Sequence, residues 1–195
     1  MQPLILASGS IYRAKQLKSI GLEFSIIKPN VQESMLSGES PKSMALRLAK
    51  LKALAVGAKN PNALVIGADQ VVDVNGFMLG KPGNYDHAVA QLKKQSGQNI
   101  TLHTACAIVS VKNNRRPVIQ AEVTVANILF KEITDQQIHR YISKDKPFNC
   151  AGSFKIESLG IAFCELIICE DHTSLIGLPL ISVIRMLRKF DYEVL

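Results

Sequence analysis

The chain has 195 residues, 47% of them hydrophobic, and carries 23 Lys and Arg against 16 Asp and Glu, a net charge of +7. It contains no run of about 18 apolar residues, so we expect no membrane-spanning helix. Its first residues also lack the basic region and cleavage site of a signal peptide. These features predict one domain over residues 1–195, located in the cytoplasm.

The excess of positive charge fits either an ordinary solvated surface or the binding of a polyanion. The chain has no long basic run and no basic stretch interleaved with aromatic residues, which favours a small phosphorylated ligand over nucleic acid. Its four cysteines form no C-x-x-C pair, and its four histidines show no metal-ligand spacing. We therefore expect free thiols and no structural zinc site, and the pattern disfavours a zinc or Ser-His-Asp hydrolase.

Hydrophobic periodicity and turn residues predict alternating strands and helices, the α/β class with a mixed sheet. The predicted strands are Leu4–Ala7, Phe24–Ile27, Ala63–Val74 ending in an Asn75-Gly76 hairpin, Asn99–Val111 and Val118–Lys131 joined by the turn Lys112–Pro117, and Ile161–Ile168. The predicted helices run from Ser10 to about Ile20, from Pro41 onward, and over Asp86–Lys94, Thr134–Ser143 and Pro179–Phe190.

The first candidate site is the turn Ser8-Gly9-Ser10, where the first strand passes into a helix. Unpaired N–H groups and the helix dipole favour an anion at such a position, and small residues let a phosphate approach the backbone. Arg13, in the first helical turn, can bind phosphate oxygens with its guanidinium group. Taken alone, the motif is more typical of an ordinary N-cap followed by a surface arginine.

The second candidate is Asp69, which with Gln70 interrupts an otherwise apolar strand. A buried, unpaired carboxylate costs several kcal/mol, so Asp69 needs a lysine, a metal ion or a ligand as its partner. Lys52 lies beside the apolar stripe of its helix, and Lys81 lies in the rigid loop Gly80-Lys81-Pro82. Either lysine could neutralise phosphate charge, although a solvated lysine is the usual case.

Two further segments carry weaker signals. In the segment from Phe148 to Glu157, small residues between aromatic residues end in an acid, which suits a wall against a planar ligand or a tight turn entering a strand. Glu33 lies in a polar loop, where it could help to hold a divalent cation or could simply be solvated.

Together these motifs resemble the Maf family of nucleotide pyrophosphatases over nearly the whole chain. The matching motifs, in the family's order, are Leu6–Ser10 with Arg13, Gly67–Val71, Gly80–Pro82, Cys150–Phe154 and Gly177–Leu180. Five motifs in the right order make a specific signal, unlike any one of them alone. The resemblance implies a Maf/ITPase-like α/β fold, with a mixed twisted sheet, flanking helices and two lobes around a nucleotide-binding cleft, often as a homodimer.

The resemblance also indicates a branch of the family. Members that act on dTTP and UTP usually carry arginine where this chain has Tyr12, and Gly-Lys-Ala-Gly where it has Cys150–Ser153. The branch that hydrolyses 7-methyl-GTP has an aromatic residue before Arg13 and a glutamate at Glu157, as here. The chain departs from the family at Ile11, usually proline, at Ala14, often basic, and at Gln32, often acidic.

The implied activity is hydrolysis of 7-methyl-GTP to 7-methyl-GMP and pyrophosphate, with Mg²⁺, or Mn²⁺, as cofactor. Asp69 is expected to be the general base and a metal contact, with Glu33 as a second metal ligand. Lys52 and Lys81 are assigned catalytic contacts to the phosphates, and substrate binding is assigned to Ser8, Arg13, Tyr12, Gln70 and Glu157.

Other readings of the sequence stay open. The chain could be a dTTP or UTP pyrophosphatase of the same family, or a catalytically silent nucleotide sensor or regulator of cell division, a role linked with the family. A basic RNA-binding module is a further alternative. For the base-selecting pair, the simpler arrangement has Tyr12 packed in the core and Glu157 paired with a lysine such as Lys155 along a strand.

Overall fold

The computed structural model describes residues 2–112 and 116–195, so residues 113–115 of the predicted turn Lys112–Pro117 lie outside the described residues. Over this part of the chain it contains seven strands and five α-helices. The strands are β1 (Leu4–Ala7), β2 (Ser25–Ile26), β3 (Leu64–Val74), β4 (Phe77–Leu79), β5 (Asn99–Ser110), β6 (Val118–Phe130) and β7 (Cys164–Cys169). The helices are α1 (Ile11–Ser19), α2 (Pro41–Gly57), α3 (Tyr85–Gln95), α4 (Asp135–Asp145) and α5 (Leu180–Arg188).

The strands hydrogen-bond in the order β2-β1-β3-β5-β6-β7, and β4 pairs with β3. Strand β1 is parallel to both β2 and β3, whereas β4 is antiparallel to β3 and β7 is antiparallel to β6. The sheet is therefore mixed, and the predicted α/β class is confirmed. The tight hairpin at Asn75-Gly76 is also present, with Asn75 and Gly76 both at positive φ.

Helix starts follow the predicted side-chain caps. Ser40 caps α2 by accepting a hydrogen bond from the Ser43 N–H, with Pro41 as the first helical residue. Thr134 and Gln137 form a reciprocal capping box at the start of α4.

The late strand was predicted over Ile161–Ile168, which places its start too early in the chain. Residues Leu159–Phe163 form a 3-10 helix, and β7 starts only at Cys164. The tight turn before it accounts for the difference, because the N–H of Gly160 donates to Lys155 O and a Cβ at Gly160 would clash with that same carbonyl. The tight turn predicted before a strand is also different: Ala151–Ser153 form a short 3-10 turn, and residues 154–163 after it contain no strand.

The chain divides into two compact units. Unit 1 comprises Met1–Asp69, Thr104–Thr124 and Asp171–Leu195, and unit 2 comprises Gln70–His103 and Val125–Glu170. The apolar core of unit 1 joins strand, helix and C-terminal side chains, among them Leu6, Leu17, Ile66, Ile108, Leu178 and Val183. Unit 2 packs an aromatic cluster of Phe130, Tyr141, Phe154 and Phe163. No helix in the described ranges has the length and apolar character needed to cross a membrane.

Candidate functional site

Unit 1 holds a buried ion pair between Lys52 of α2 and Asp69 of β3. Lys52 Nζ lies 2.6 Å from Asp69 Oδ1 and 3.0 Å from Glu33 Oε2. Lys52 and Asp69 are only 6% and 8% exposed, whereas half of the Glu33 side chain is exposed. The partner that the sequence requires for Asp69 is thus a lysine, and the more usual solvated position for Lys52 is wrong.

The close approach of α2 to β3 explains why Lys52 reaches Asp69. Gly67 lies two residues before Asp69, so both residues face the same side of the sheet. A Cβ at Gly67 would lie 2.6 Å from Ala53 N and 2.9 Å from Ala53 Cβ, and would also clash with Ala49 O. Only glycine allows α2 to pack this closely, and the packing places the lysine one residue before Ala53 against the carboxylate.

Arg13 connects three segments of unit 1. Its Nη1 donates to Ala68 O at 2.7 Å and to Ser8 Oγ at 3.5 Å, and its Nε donates to Gly177 O at 3.2 Å. The guanidinium group is therefore engaged by two backbone carbonyls, and it is not the simple surface arginine of an N-cap motif. These bonds hold the Gly177 loop near Ala68 and Asp69. Phosphate binding by Arg13 stays a prediction.

The turn before α1 is organised by its serines. Ser10 is the N-cap and accepts from the Arg13 N–H, while the buried Ser8 hydroxyl accepts from the Ser10 N–H at 3.1 Å. An open cavity of about 250 Å³ adjoins the turn. Two of its lining residues, Lys15 and Lys18, were not predicted as site residues. The full lining is Ser8, Gly9, Ser10, Ile11, Ala14, Lys15, Lys18 and Ile26. The three-residue spacing of Lys15 and Lys18 on one helix face was the available signal.

The environment of Asp69 changes its protonation. Burial raises the pKa of Asp69 above its ordinary value of 3.8, Glu33 raises it further, and the positive charges of Lys52 and Arg13 oppose that rise. A carboxylate whose pKa moves toward neutrality is a better proton acceptor at physiological pH than an ordinary aspartate. The thiol of Cys106 in the same core is inert by comparison, because burial raises its pKa to about 12.

The carboxylates of Asp69 and Glu33 also suit a divalent cation. Asp69 Oδ1 and Glu33 Oε2 both lie next to the Lys52 ammonium group, so the two carboxylates converge on one point. No cluster of three His, Cys, Asp or Glu side chains with metal-binding geometry occurs within residues 2–112 and 116–195. Two carboxylates are what Mg²⁺ commonly takes from a protein, with phosphate and water as its other ligands.

The remaining predicted site residues divide between the units. Tyr12 lies half-buried on α1 in unit 1, whereas Gln70, Lys81 and Glu157 belong to unit 2. Gln70 follows Asp69 on β3, so the two side chains leave the strand on opposite faces. The structure therefore groups Ser8, Arg13, Glu33, Lys52 and Asp69 within unit 1.

Lys81 and Glu157 are exposed side chains in segments of irregular structure. Lys155 Nζ donates to Asp145 O at 2.5 Å, and its backbone N–H donates to the Tyr141 hydroxyl. Residues 155–157 are not in a strand, so the two-residue alternation that would pair Lys155 with Glu157 does not apply.

Comparison with known proteins places the chain in a family. The family model described as Maf-like protein matches residues 3–190. A 7-methyl-GTP pyrophosphatase from Methylobacillus flagellatus is 43% identical, with 100% of both chains covered. Proteins of the same name from Polaromonas sp. and Aliivibrio fischeri are also 43% identical, covering 96% and 98% of this chain and 84% and 98% of their own.

Among solved structures, a HAM1 protein from Coxiella burnetii is 17% identical with a TM-score of 0.42, covering 66% of this chain and 73% of that one. That likeness is too low to bear on the site. The family model, in contrast, extends over the motifs at Ser8, Asp69, Lys81 and Cys150 and over the loop at Gly177. The chain belongs to the Maf family.

Proposed function

We propose that the protein hydrolyses 7-methyl-GTP to 7-methyl-GMP and pyrophosphate. The observation that carries this proposal is the buried Lys52–Asp69 pair beside the Ser8–Arg13 turn, which joins a proton acceptor to groups that attract phosphate. The relatives at 43% identity bear the name of this activity, which supports the choice of substrate. The proposed location is the cytoplasm, and the proposed assembly is a homodimer.

In the proposed reaction, water attacks the α-phosphorus and pyrophosphate leaves. Water is a weak nucleophile and the triphosphate is strongly anionic, so the site must remove a proton and screen charge. Asp69, whose pKa is raised by burial, takes the proton from the attacking water. Lys52 lies 2.6 Å from that carboxylate and keeps its basic oxygen oriented.

Asp69 and Glu33 would hold Mg²⁺, or Mn²⁺ in its place. Such an ion supplies charge neutralisation at phosphate oxygens and lowers the pKa of bound water. Ser8, Arg13, Lys52 and Lys81 are assigned to phosphate binding, where serine donates a hydrogen bond and the three cations neutralise charge.

Base selection is assigned to Tyr12, Gln70 and Glu157. Methylation at the 7-position makes guanine cationic, and a cation is attracted to an aromatic face by roughly 0.5–2 kcal/mol. Tyr12 can offer such a face, whereas arginine there would repel the charge. The guanine edge presents two N–H donors, and a carboxylate such as Glu157 accepts both.

A substrate screen tests the proposal. Purified protein with Mg²⁺ is given 7-methyl-GTP, GTP, dTTP and UTP, and the products are separated by anion chromatography. We expect pyrophosphate and a nucleoside monophosphate, with 7-methyl-GTP preferred. Orthophosphate with a nucleoside diphosphate as first products would contradict the reaction, and preference for dTTP or UTP would assign the other branch.

Two variants test the assigned base contacts, with Lys144→Ala, an exposed lysine on α4, as the control. Tyr12→Ala and Glu157→Gln should lose preference for 7-methyl-GTP over GTP and UTP by more than they lose overall activity. Equal losses on all three substrates would show that these residues serve the fold or the phosphates. Binding of nucleotide without any turnover would instead support a sensor, and light scattering of the purified protein tests the homodimer.

A further inference from the structure

The loop that carries Lys81 is hydrogen-bonded to a second segment of unit 2 through its backbone. Gly80 O accepts from the Gly152 N–H at 3.1 Å and from Gln91 Nε2 at 3.0 Å. The same Gln91 side chain accepts a hydrogen bond of 2.6 Å from Ser153 Oγ. One amide of α3 therefore joins the Lys81 loop to the 3-10 turn at residues 151–153.

A second glutamine of α3 fixes the same turn. Gln95 is fully buried, and its Nε2 donates to Gly152 O at 2.6 Å and to Gln91 O at 3.0 Å. Gly152 and Ser153 have φ values of +65° and +58°, in the left-handed region that a serine rarely adopts. Non-glycine residues in this region are retained where surrounding bonds hold them, and they are common at functional sites.

These bonds act at the peptide that joins Gly80 to Lys81. Pro82 restricts the backbone of Lys81, as proline does for the residue that precedes it. Gly80, on the other side, is the residue with the greatest backbone freedom. Two hydrogen bonds to Gly80 O fix the orientation of the peptide that joins Gly80 to Lys81, and with it the direction in which the lysine side chain leaves the loop.

We propose that Gln91 is a positioning residue that sets the direction of Lys81 for phosphate binding. The inference rests on the proposed function, in which Lys81 contacts the triphosphate. Gln91 does not itself touch the substrate; it acts through Gly80 O and is held by Ser153 Oγ. Loss of its amide leaves Lys81 present but less well directed.

A double-mutant cycle between Gln91 and Lys81 tests this role. Gln91→Met keeps the length of the side chain and removes both hydrogen bonds. We expect kcat/KM for 7-methyl-GTP to fall by roughly 3- to 10-fold, the range for one or two lost hydrogen bonds. In a Lys81→Ala background the same change should alter kcat/KM by less than about 1.5-fold, because the group that Gln91 positions is already absent.

Two further variants separate positioning from folding. Gln91→Glu keeps an acceptor for Ser153 and removes the donor to Gly80 O, so it should lose kcat/KM in the same way and show the same dependence on Lys81. Gln136→Met is the matched control, because Gln136 is an exposed glutamine on α4, and its activity should equal that of the wild type. Equal losses from the Gln91 variants with and without Lys81 would overturn the inference.

A binding experiment keeps this result distinct from failure of the proposed function. If the wild type hydrolyses no triphosphate, the proposed function fails, and the cycle is repeated on affinity for inorganic pyrophosphate by calorimetry. Non-additive losses of affinity at Gln91 and Lys81 would support the positioning role. Additive losses, or no change at either residue, would overturn it.

Discussion

The two units stabilise their predicted phosphate-contacting lysines by different means. In unit 1, Lys52 is buried against Asp69, and its charge alters the protonation of its partner. In unit 2, Lys81 is exposed, and its loop is held by the neutral amide of Gln91 acting on a backbone carbonyl. In unit 1, a buried charge changes the reactivity of Asp69. In unit 2, uncharged hydrogen bonds set only the direction of the Lys81 side chain.

The largest effect that this contrast predicts is at Asp69. Asp69→Asn keeps the shape of the side chain and removes the base, so turnover should fall by at least about 10²-fold, the lower end of general-base contributions. Pyrophosphate release at saturating substrate measures it. Near-normal turnover would mean that another group accepts the proton.

The same variant should also change how stability depends on pH, because burial raises the pKa of Asp69 and makes its ionisation in the fold unfavourable. The contribution of this group to the free energy of unfolding is full below 3.8, its ordinary pKa, and is lost as pH rises through the higher pKa of the folded state. The asparagine side chain cannot ionise, so the variant should gain stability relative to the wild type as pH rises from about 4. Urea unfolding across pH measures the difference, and parallel curves would contradict the burial argument.

The next effect concerns the charge of Lys52. Lys52→Met keeps the aliphatic stem and removes the positive charge that lowers the pKa of Asp69. The acidic limb of the kcat/KM profile should therefore move to higher pH, and kcat/KM at neutral pH should fall at least roughly tenfold. Lys42→Met, at an exposed lysine of the same helix, is the control. If kcat/KM falls at every pH but its acidic limb does not move, Lys52 contributes to phosphate binding and does not change the pKa of Asp69.

A smaller effect is expected from the packing that brings α2 to β3. Gly67→Ala places a methyl group against Ala49 and Ala53, and such overpacking typically costs about 1–3 kcal/mol. Thermal unfolding measures the cost, with Gly80→Ala as the stability control, since a Cβ at Gly80 meets no atom within 4 Å. Equal unfolding midpoints in the two variants would show that α2 can move away from the strand freely.

The smallest effect is expected at an exposed ion pair of unit 2. Lys93 Nζ lies 2.8 Å from Asp135 Oδ2, with both side chains largely exposed, so water and salt screen the attraction. Asp135→Asn should lower the unfolding midpoint less than Gly67→Ala does, and the difference from the wild type should vanish at about 1 M salt. A salt-independent loss would point to the helix start rather than the ion pair.

Local chemistry allowed much of this structure to be predicted from the sequence. A carboxylate in an apolar strand required a partner, and Lys52 was among the candidates named for its position beside an apolar stripe. Helix starts at Ser40 and Thr134 follow from short-range caps. The boundary of β7 was missed because the apolar run Leu159–Phe163 has strand composition but forms a 3-10 helix.

Contacts between distant residues could not be predicted in the same way. Gln91 and Ser153 are 62 positions apart, and Arg13 and Gly177 are 164 positions apart. Arg13 was singled out for phosphate binding, but nothing in its segment indicates its bond to Gly177. Gln91 does not differ from its neighbours in any way that indicates its bond to Ser153. Their roles depend on tertiary placement, for which a single sequence contains no periodic signal.

The bond from Arg13 to Gly177 bears on how the protein is made. The strand and helix around Arg13 are synthesised early, yet their partners in the Gly177 loop and in the Leu178–Val183 core emerge last. During translation, the apolar face of α1 and the Arg13 side chain stay exposed to water until most of the chain has been synthesised. Long-range closure of this kind slows folding and prolongs exposure of apolar surface. Nascent chains stalled before Gly177 should therefore depend on chaperones to stay in solution.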